Sequence, residues 1–249
     1  MARPQGPLPQ LLPGTPPELV VYDEPQRCPY LLNRIARMPL RLPARQLRPS
    51  ELDQRLSVGD RRQGFVLYRT ACSGCRACEP VRVPVETFRY NRAFRRVFQR
   101  GERELSVDIG FPLADEERVQ LYNKHKLGRG LGDGQPPIDL EGYRDFLVNS
   151  CCESLELRFR IGQKLVGIAV ADRGKTSLSA VYCFYDPEHS RLGIGTYSIL
   201  KQIELCKDWG LSYLYLGLYI KESDVMRYKA RFSPQQRLIA GAWHEFSVE

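Results

Sequence analysis

Residues 154 to 220 hold the pattern that most constrains the fold. Three runs rich in apolar and β-branched residues, LELRFRI, KLVGIAVAD and SLSAVYCFYD, follow one another across short polar turns. IGTYSILKQIELCKDWG comes next, with Ile199, Ile203 and Cys206 on one helical face and Gly210 placed to stop the helix. SYLYLGLYI then reads as a further strand. Such an order calls for an α/β (α+β) chain whose mixed, mostly antiparallel sheets are flanked by helices.

The first half is less regular. Residues 1–27 carry seven prolines and are expected to form a flexible arm. PSELDQRLSVGD suits a helix and GFVLYR a strand, and PVRVPVETF alternates like a strand that Pro84 should confine to an edge or bulge. In NRAFRRVFQRGERELSV, a turn of about 100° per residue gathers Arg92, Arg95, Arg96, Gln99, Arg100 and Arg103 on one face, opposite Phe94, Val97 and Phe98. A guanidinium stripe with almost no acid to pair with suits a phosphate-tracking surface better than an ordinary solvated face. DEERVQLYNKHK is a second helix with Asp115 as cap, and LEGYRDFLVN a third. The glycine-rich LGRGLGDGQPP, residues 127–137, has no strand before it, so it reads as a linker or lid at a domain junction.

The divisions that follow are an arm at 1–27, a cysteine-containing domain at 28–126 and a second, more regular domain at 127–249. No apolar run nears the roughly 20 residues that span a bilayer, and the start has no apolar signal-peptide core, so a cytoplasmic protein with no membrane partner is expected. The net charge of +8 points to a polyanionic partner. Eight cysteines in such a chain are thiols or ligands before they are bridges. Cys151, Cys152, Cys183 and Cys206 read as small buried hydrophobes. Cys72, Cys75 and Cys78 in YRTACSGCRACEPVRVP could instead bind metal or line a pocket.

The order of the second half resembles an acyltransferase of the GNAT type, with EHSRLGIG similar to that fold's pyrophosphate loop, although Ser190 stands where a basic residue or Gln is usual. Five further pieces resemble the aminoacyl-tRNA–protein transferase family, and among it the short bacterial aspartate/glutamate leucyltransferases. They are Cys28-x-Tyr30-Leu31; Tyr68-x3-Cys72-x2-Cys75-x2-Cys78-x-Pro80-x-Arg82; Asp186-Pro187-Glu188-His189; Tyr213-Leu214-Tyr215-Leu216-Gly217-x-Tyr219-Ile220; and Met226-x-Tyr228-Lys229-x-Arg231-Phe232. RYNRAFRR and RLGIG depart from the family's usual Ser-Arg-Ser-Gln and Ser-Leu-Gly.

The resemblance implies two GNAT-like halves and transfer of leucine from leucyl-tRNA to proteins with N-terminal Asp or Glu, creating a degradation signal. An arginyl donor, an acyl-CoA-dependent acetyltransferase and a non-catalytic zinc-containing RNA-binding module are the alternatives. Since the donor ester is already activated, no cofactor is required for transfer. By family position Arg82 and Arg231 would grip the acceptor carboxylate, helped by Lys229, Tyr219 and Tyr228. Lys229 and Arg231 could also be plain surface charges. Arg92, Arg95, Arg96, Arg100 and Arg103 would bind tRNA. Glu188 and His189 either handle a proton or form a turn that caps the next helix. Cys28 with Cys72, Cys75 and Cys78 would supply four thiols for zinc or an iron–sulfur cluster, or else a wall beside the acceptor.

Overall fold

The structure, a computed structural model, describes residues 10–131, 134 and 136–247. In chain order the first elements are β1 (Leu11–Leu12), β2 (Glu18–Tyr22), β3 (Gln26–Arg27), β4 (Ile35–Ala36), β5 (Leu40–Pro43), α1 (Pro49–Ser57), β6 (Arg61–Gln63) and β7 (Val66–Tyr68). Then follow β8 (Glu79–Pro84), α2 (Arg92–Glu104), β9 (Ser106–Gly110), α3 (Glu116–Gly128) and α4 (Leu140–Tyr143), which runs into a π turn at Arg144–Val148. The remainder is β10 (Ser154–Ile161), β11 (Lys164–Arg173), β12 (Ser177–Tyr185), a 3-10 turn (Pro187–Leu192), α5 (Ile194–Asp208), β13 (Tyr213–Tyr219), a 3-10 turn (Arg227–Arg231), β14 (Gln235–Ile239) and β15 (Ala242–Phe246).

Two sheets result. A five-stranded sheet runs β1-β2-β5-β7-β6, and an eight-stranded sheet runs β15-β14-β8-β13-β12-β11-β10-β9. The β3–β4 pair forms a separate hairpin. In the larger sheet β12 and β13 are parallel, joined through α5, and the neighbouring pairs β10–β11, β11–β12 and β13–β8 are antiparallel. Strands, helix and strand therefore stand in the expected acyltransferase order.

Burial explains why β11 is apolar without alternation. Val166, Ala169 and Ala171 pack in a core shared with α2 and α5, while Leu165, Ile168 and Val170 pack on the other side with Val119 and Tyr122 of α3 and Tyr143 of α4. A strand covered on both faces needs no polar side. Helix α2 begins at Asn91, whose side chain accepts from Phe94 N at 2.8 Å, and buries Phe94 against Phe232, ring centroids 4.9 Å apart. Gly101 lets it approach α5: a Cβ there would meet the Tyr197 ring at 2.3 Å.

Three expectations change. The arm is ordered from residue 10 onward, because β1 and β2 join the five-stranded sheet and Glu18, 2% exposed, pairs with Arg41 at 2.9 Å and Arg55 at 2.8 Å; residues 1–9 lie outside the described residues. Strand β8 is not an edge, since it sits between β13 and β14, but its ladder with β13 carries a register shift between Tyr215 and Gly217. β14 pairs with it only at Val81 and Arg82, so Pro80 and Pro84 fall outside that ladder and their missing N–H groups cost it nothing. Finally, β8 and β9 precede residue 127 yet share a sheet with strands after it, so the hydrogen-bonded unit runs across the junction expected there. The glycine-rich segment 127–137 lies partly outside the described residues.

Candidate active site at the split between two parallel strands

Strands β12 and β13 are paired only where Ser177, Leu178 and Ser179 meet Tyr213, Leu214 and Tyr215. Beyond that point they separate, β12 running on to Tyr185 and β13 to Tyr219. Two cations bind main-chain carbonyls of the separating strands. Arg61 Nη2 donates to Ala180 O at 2.9 Å, with Nη1 on Ser179 Oγ at 3.1 Å. Lys229 Nζ donates to Leu218 O at 2.7 Å and meets Met226 Sδ at 2.8 Å. Gly217 has φ of 88°, and a Cβ there would stand 3.2 Å from Arg61 Nη2, so both its backbone and its missing side chain make room for the guanidinium.

The charges are unusual. Arg61 is 8% exposed and Lys229 6%, and among the described residues no carboxylate forms an ion pair with either. Asp172 attracts Arg61 but is held by the adjacent Arg62 at 2.8 Å. Burial, with Arg61 beside it, pushes Lys229 down to about 7, and burial also lowers the Arg61 guanidinium. Two buried cations facing each other without a counter-ion are costly. The arrangement is suited to receive an anion.

Other candidate residues follow on the neighbouring segments. Burial, and Cys183 nearby, push the Tyr228 phenol up to about 12, while Arg231 pulls it back. Burial likewise pushes Cys183 up to about 11, and its sulfur accepts from Ser198 Oγ at 3.3 Å on the first turns of α5. The Tyr219 ring is covered by Arg237, 3.7 Å from its centroid, and Arg237 pairs with Glu79 at 3.3 Å. Tyr228 stands beside Lys229, whose Nζ lies 5.4 Å from its ring centroid, Arg231 is exposed at the end of the same turn, and Tyr219 lies beneath an arginine.

Arg82 does not join them. Strand alternation sends Val81 and Val83 into the core with Phe94 and Phe232 and turns Arg82 to the opposite face. There it lies between the rings of Tyr213 and Trp243, 3.9 and 4.1 Å from their centroids, and donates to Gln236 Oε1 at 2.8 Å and Tyr215 Oη at 3.0 Å. The turn carrying Arg231 packs on the other face through Ala230 and Phe232. The expected Arg82–Arg231 clamp is therefore corrected: the sheet separates them, and Arg61, three residues before Gly64 in a short charged strand, takes the position at the split. No local sequence signal marks Arg61.

Glu188 and His189 sit in the 3-10 turn before α5. Asp186 caps that turn, accepting from Glu188 N at 3.1 Å, and the Glu188 carboxylate is held outward by Lys124 at 2.7 Å. Asp186 itself pairs with Lys124 and Lys164 at 3.0 and 3.2 Å. Neither side chain caps α5, whose N-cap is Gly193 with no side-chain hydrogen bond, and His189 Nε2 is buried without a partner among the described residues.

Along α2, Arg92, Arg95 and Arg96 are exposed, and among the described residues none has a carboxylate partner. Arg103 touches Glu104 at 3.1 Å, Arg191 before the start of α5 pairs with the same carboxylate at 3.2 Å, and Arg100 donates to the carbonyl of Arg191. The basic face therefore lies beside the turn that precedes α5.

Cys28, Cys72, Cys75 and Cys78, all free, line one small cavity under the β3–β4 hairpin. The hairpin brings Cys28 round, with Cys28 N donating to Arg34 O at 2.9 Å, and Ala71 N pins the loop to Arg37 O at 2.8 Å. Burial and the three other thiols push Cys78 up to about 12. Four thiols suit zinc or an iron–sulfur cluster in chemistry. In position, among the described residues no three Cys, His, Asp or Glu side chains converge as metal ligands. Pro29, Tyr30 and Met38 separate this cavity from a larger one.

Residues 26–96 match the N terminus of the arginine-tRNA–protein transferase family and residues 117–239 match its C terminus. The chain belongs to that family. Its relatives in the family include the aspartate/glutamate leucyltransferase of Chromobacterium violaceum, 39% identical over 220 residues, 88% of this chain and 90% of that one. That of Methylobacillus flagellatus is 38% identical over 222 residues, 89% of each. In fold, the chain is similar to the C-terminal domain of a putative lysylphosphatidylglycerol synthetase from Agrobacterium fabrum, with a TM-score of 0.50, 12% identity, and coverage of 69% of this chain and 59% of that one. Like its family, the chain is an aminoacyltransferase acting with tRNA and protein substrates. Among the described residues no helix is long and apolar enough to cross a membrane.

The placement of Arg82 carries a prediction. Arg82→Ala should lower stability by about 1–3 kcal/mol, through the loss of stacking on two rings and of its hydrogen bonds, in denaturant unfolding. It should not raise KM for an acidic peptide selectively; a selective rise would return Arg82 to the acceptor site.

Proposed function

We propose that the protein transfers a leucyl group from leucyl-tRNA to the α-amine of proteins that begin with Asp or Glu, in the cytosol, marking them for N-degron degradation. The observation that carries this reading is the pair of buried cations without a carboxylate, Arg61 and Lys229, at the split between β12 and β13. An acidic side chain supplies the missing anion, and its own α-amine is then held within the split. An uncharged first residue leaves the two cations unpaired.

The chemistry needs little more. The amine nitrogen attacks the leucyl carbonyl, an amide bond forms, the ester bond to the terminal ribose breaks, and the amine proton passes to the departing ribose oxygen. An α-amine has an ordinary pKa near 7.7–8.0, and neighbouring cations favour its neutral, nucleophilic form. Holding amine and ester together contributes up to about 7–11 kcal/mol. Arg92, Arg95, Arg96, Arg100 and Arg103, with Arg191, track the tRNA backbone and bring its tip in from the α5 side. A leucyl group fits the split better than an arginyl group, because the nearby acids Asp172 and Glu79 are already held by Arg62 and Arg237. The names of the relatives support the same donor. Cys28, Cys72, Cys75 and Cys78 would be the thiols to hold zinc or an iron–sulfur cluster, which would tie the hairpin to the loop after β7.

The test crosses leucyl- and arginyl-tRNA with peptides starting in Asp, Glu, Lys and Ala. Transfer of leucine to Asp and Glu alone is expected, and Arg61→Gln or Lys229→Met should raise KM for the acidic peptide at least about tenfold while leaving KM for leucyl-tRNA unchanged. The sign of the pH effect follows from Lys229. Its ammonium is present below about 7 and lost above it, so KM for an Asp peptide should rise between pH 6.5 and 8.5, and Lys229→Arg should remove that rise.

A second measurement addresses the tRNA surface. Replacing Arg92, Arg95 and Arg96 with Gln should weaken tRNA binding and lower the slope of log K against log salt by up to about one for each phosphate that is no longer neutralised. An unchanged slope returns the stripe to a solvated face.

The metal is checked by elemental analysis of the purified protein. Bound zinc or iron is expected, and Cys78→Ser should lower it; metal-free protein with full activity would leave the thiols as a wall.

A further inference from the structure

A cavity of about 480 Å³ lies on the face of the five-stranded sheet that faces the hairpin, walled by Tyr22, Tyr30, Leu40 and Tyr68, with Gln26 and Gln63. Register places it relative to the active site. Tyr22 stands opposite Leu40, Leu40 opposite Tyr68, and Tyr68 opposite Arg61. These four residues form one row across β2, β5, β7 and β6, and residues in register share a face. Arg61 thus ends the row that floors the cavity, and from that end it reaches Ala180 at the split.

We propose that this cavity receives the second residue of the acceptor chain and selects an uncharged side chain there. The proposal rests on the assignment of Arg61 and Lys229 to the acceptor's first carboxylate. Neighbouring strands stand about 4.8 Å apart, and an extended peptide advances about 3.3–3.6 Å per residue. A chain whose first side chain is held at Arg61 therefore has its second residue over Tyr68 and Leu40. Among the described residues the wall contains no Asp, Glu, Lys, Arg or His. Burial, and Tyr68 close by, push the Tyr30 hydroxyl up, so that phenol is not disposed to ionise as a counter-ion. A charged side chain entering there loses water without gaining a counter-ion. An aliphatic or aromatic one covers the rings. The amides of Gln26 and Gln63 supply donors and acceptors of the kind a peptide backbone needs.

The basic helix α2 packs on the opposite face of the large sheet, through the core that holds Phe94 and Tyr197. That leaves the cavity on the side away from the arriving tRNA. Its occupant is therefore the acceptor and not the transferred leucyl side chain.

The experiment uses the full chain, leucyl-tRNA and pentapeptides that begin Asp-Leu, Asp-Phe, Asp-Lys and Asp-Glu. The expected result is a kcat/KM at least about tenfold higher for Asp-Leu and Asp-Phe than for Asp-Lys and Asp-Glu. Gln63 is exposed and near-isosteric with Glu, so Gln63→Glu should raise Asp-Lys relative to Asp-Leu by about tenfold with KM for leucyl-tRNA unchanged. Equal kcat/KM for all four peptides, with no response to Gln63→Glu, overturns the inference while leaving transfer to N-terminal Asp in place. A Gln63→Glu variant that raises KM for leucyl-tRNA and leaves the peptide ratios unmoved also overturns it, in favour of the transferred side chain. Failure of every Asp peptide to accept leucine would instead overturn the assignment of the acceptor itself.

Discussion

The Arg62–Asp172 ion pair holds the two sheets in the relation on which the site depends. Both side chains are 1% exposed, Nε to Oδ2 is 2.8 Å, and Asp172 is further satisfied by Ser154 Oγ at 2.6 Å. Arg62 comes from the five-stranded sheet and Asp172 from β11 of the larger one. Loss of one partner from such a buried pair costs about 3–5 kcal/mol. Consecutive residues of a strand point to opposite faces. With Arg62 turned down onto Asp172, Arg61 faces the other way, and its guanidinium ends on Ser179 and Ala180. One anchored arginine thereby positions its neighbour.

What this positioning produces is a charge imbalance tolerated inside the protein. Elsewhere buried cations are matched: Arg41 lies between Glu18 and Asp60, and Arg118 grips Glu156 at 2.6 Å. Arg61 and Lys229 are instead satisfied by neutral carbonyls, a hydroxyl and a thioether. Carbonyls solvate a cation without cancelling its charge, so the field of both remains available to a visiting carboxylate. On the proposed function, selection for acid at the first position would need no rearrangement of side chains.

The legible parts of the sequence were those whose structure is set by near neighbours. β10, β11, β12, α5 and β13 follow from local periodicity, α2 shows its arginine face, and Asp115 starts α3 by accepting from Arg118 N at 3.0 Å. Short motifs also sufficed to point to the family. The side chains at the site were harder to read. Arg82 sits in a motif, but its direction depends on strand parity and on Tyr213 and Trp243, which lie far along the chain. Arg61 lies in a three-residue strand of polar residues, RRQ, where no hydrophobic pattern distinguishes inside from outside. The first strands were hidden by proline content, since the feature that orders them is Glu18 reaching Arg41 and Arg55. In each case the deciding partner is remote.

The central place of β8 has a consequence for biosynthesis. Both of its flanking ladders are made by β13 and β14, which leave the ribosome well over a hundred residues later than β8 itself. During translation its two edges have no native partner, and loop closure must join distant segments before either is covered. The nascent chain therefore cannot complete its first half early and wait. Assembly is deferred until the closing strands emerge, and the proline pair in β8, which removes donors from an uncovered edge, lessens the hazard of stray strand pairing in the interval.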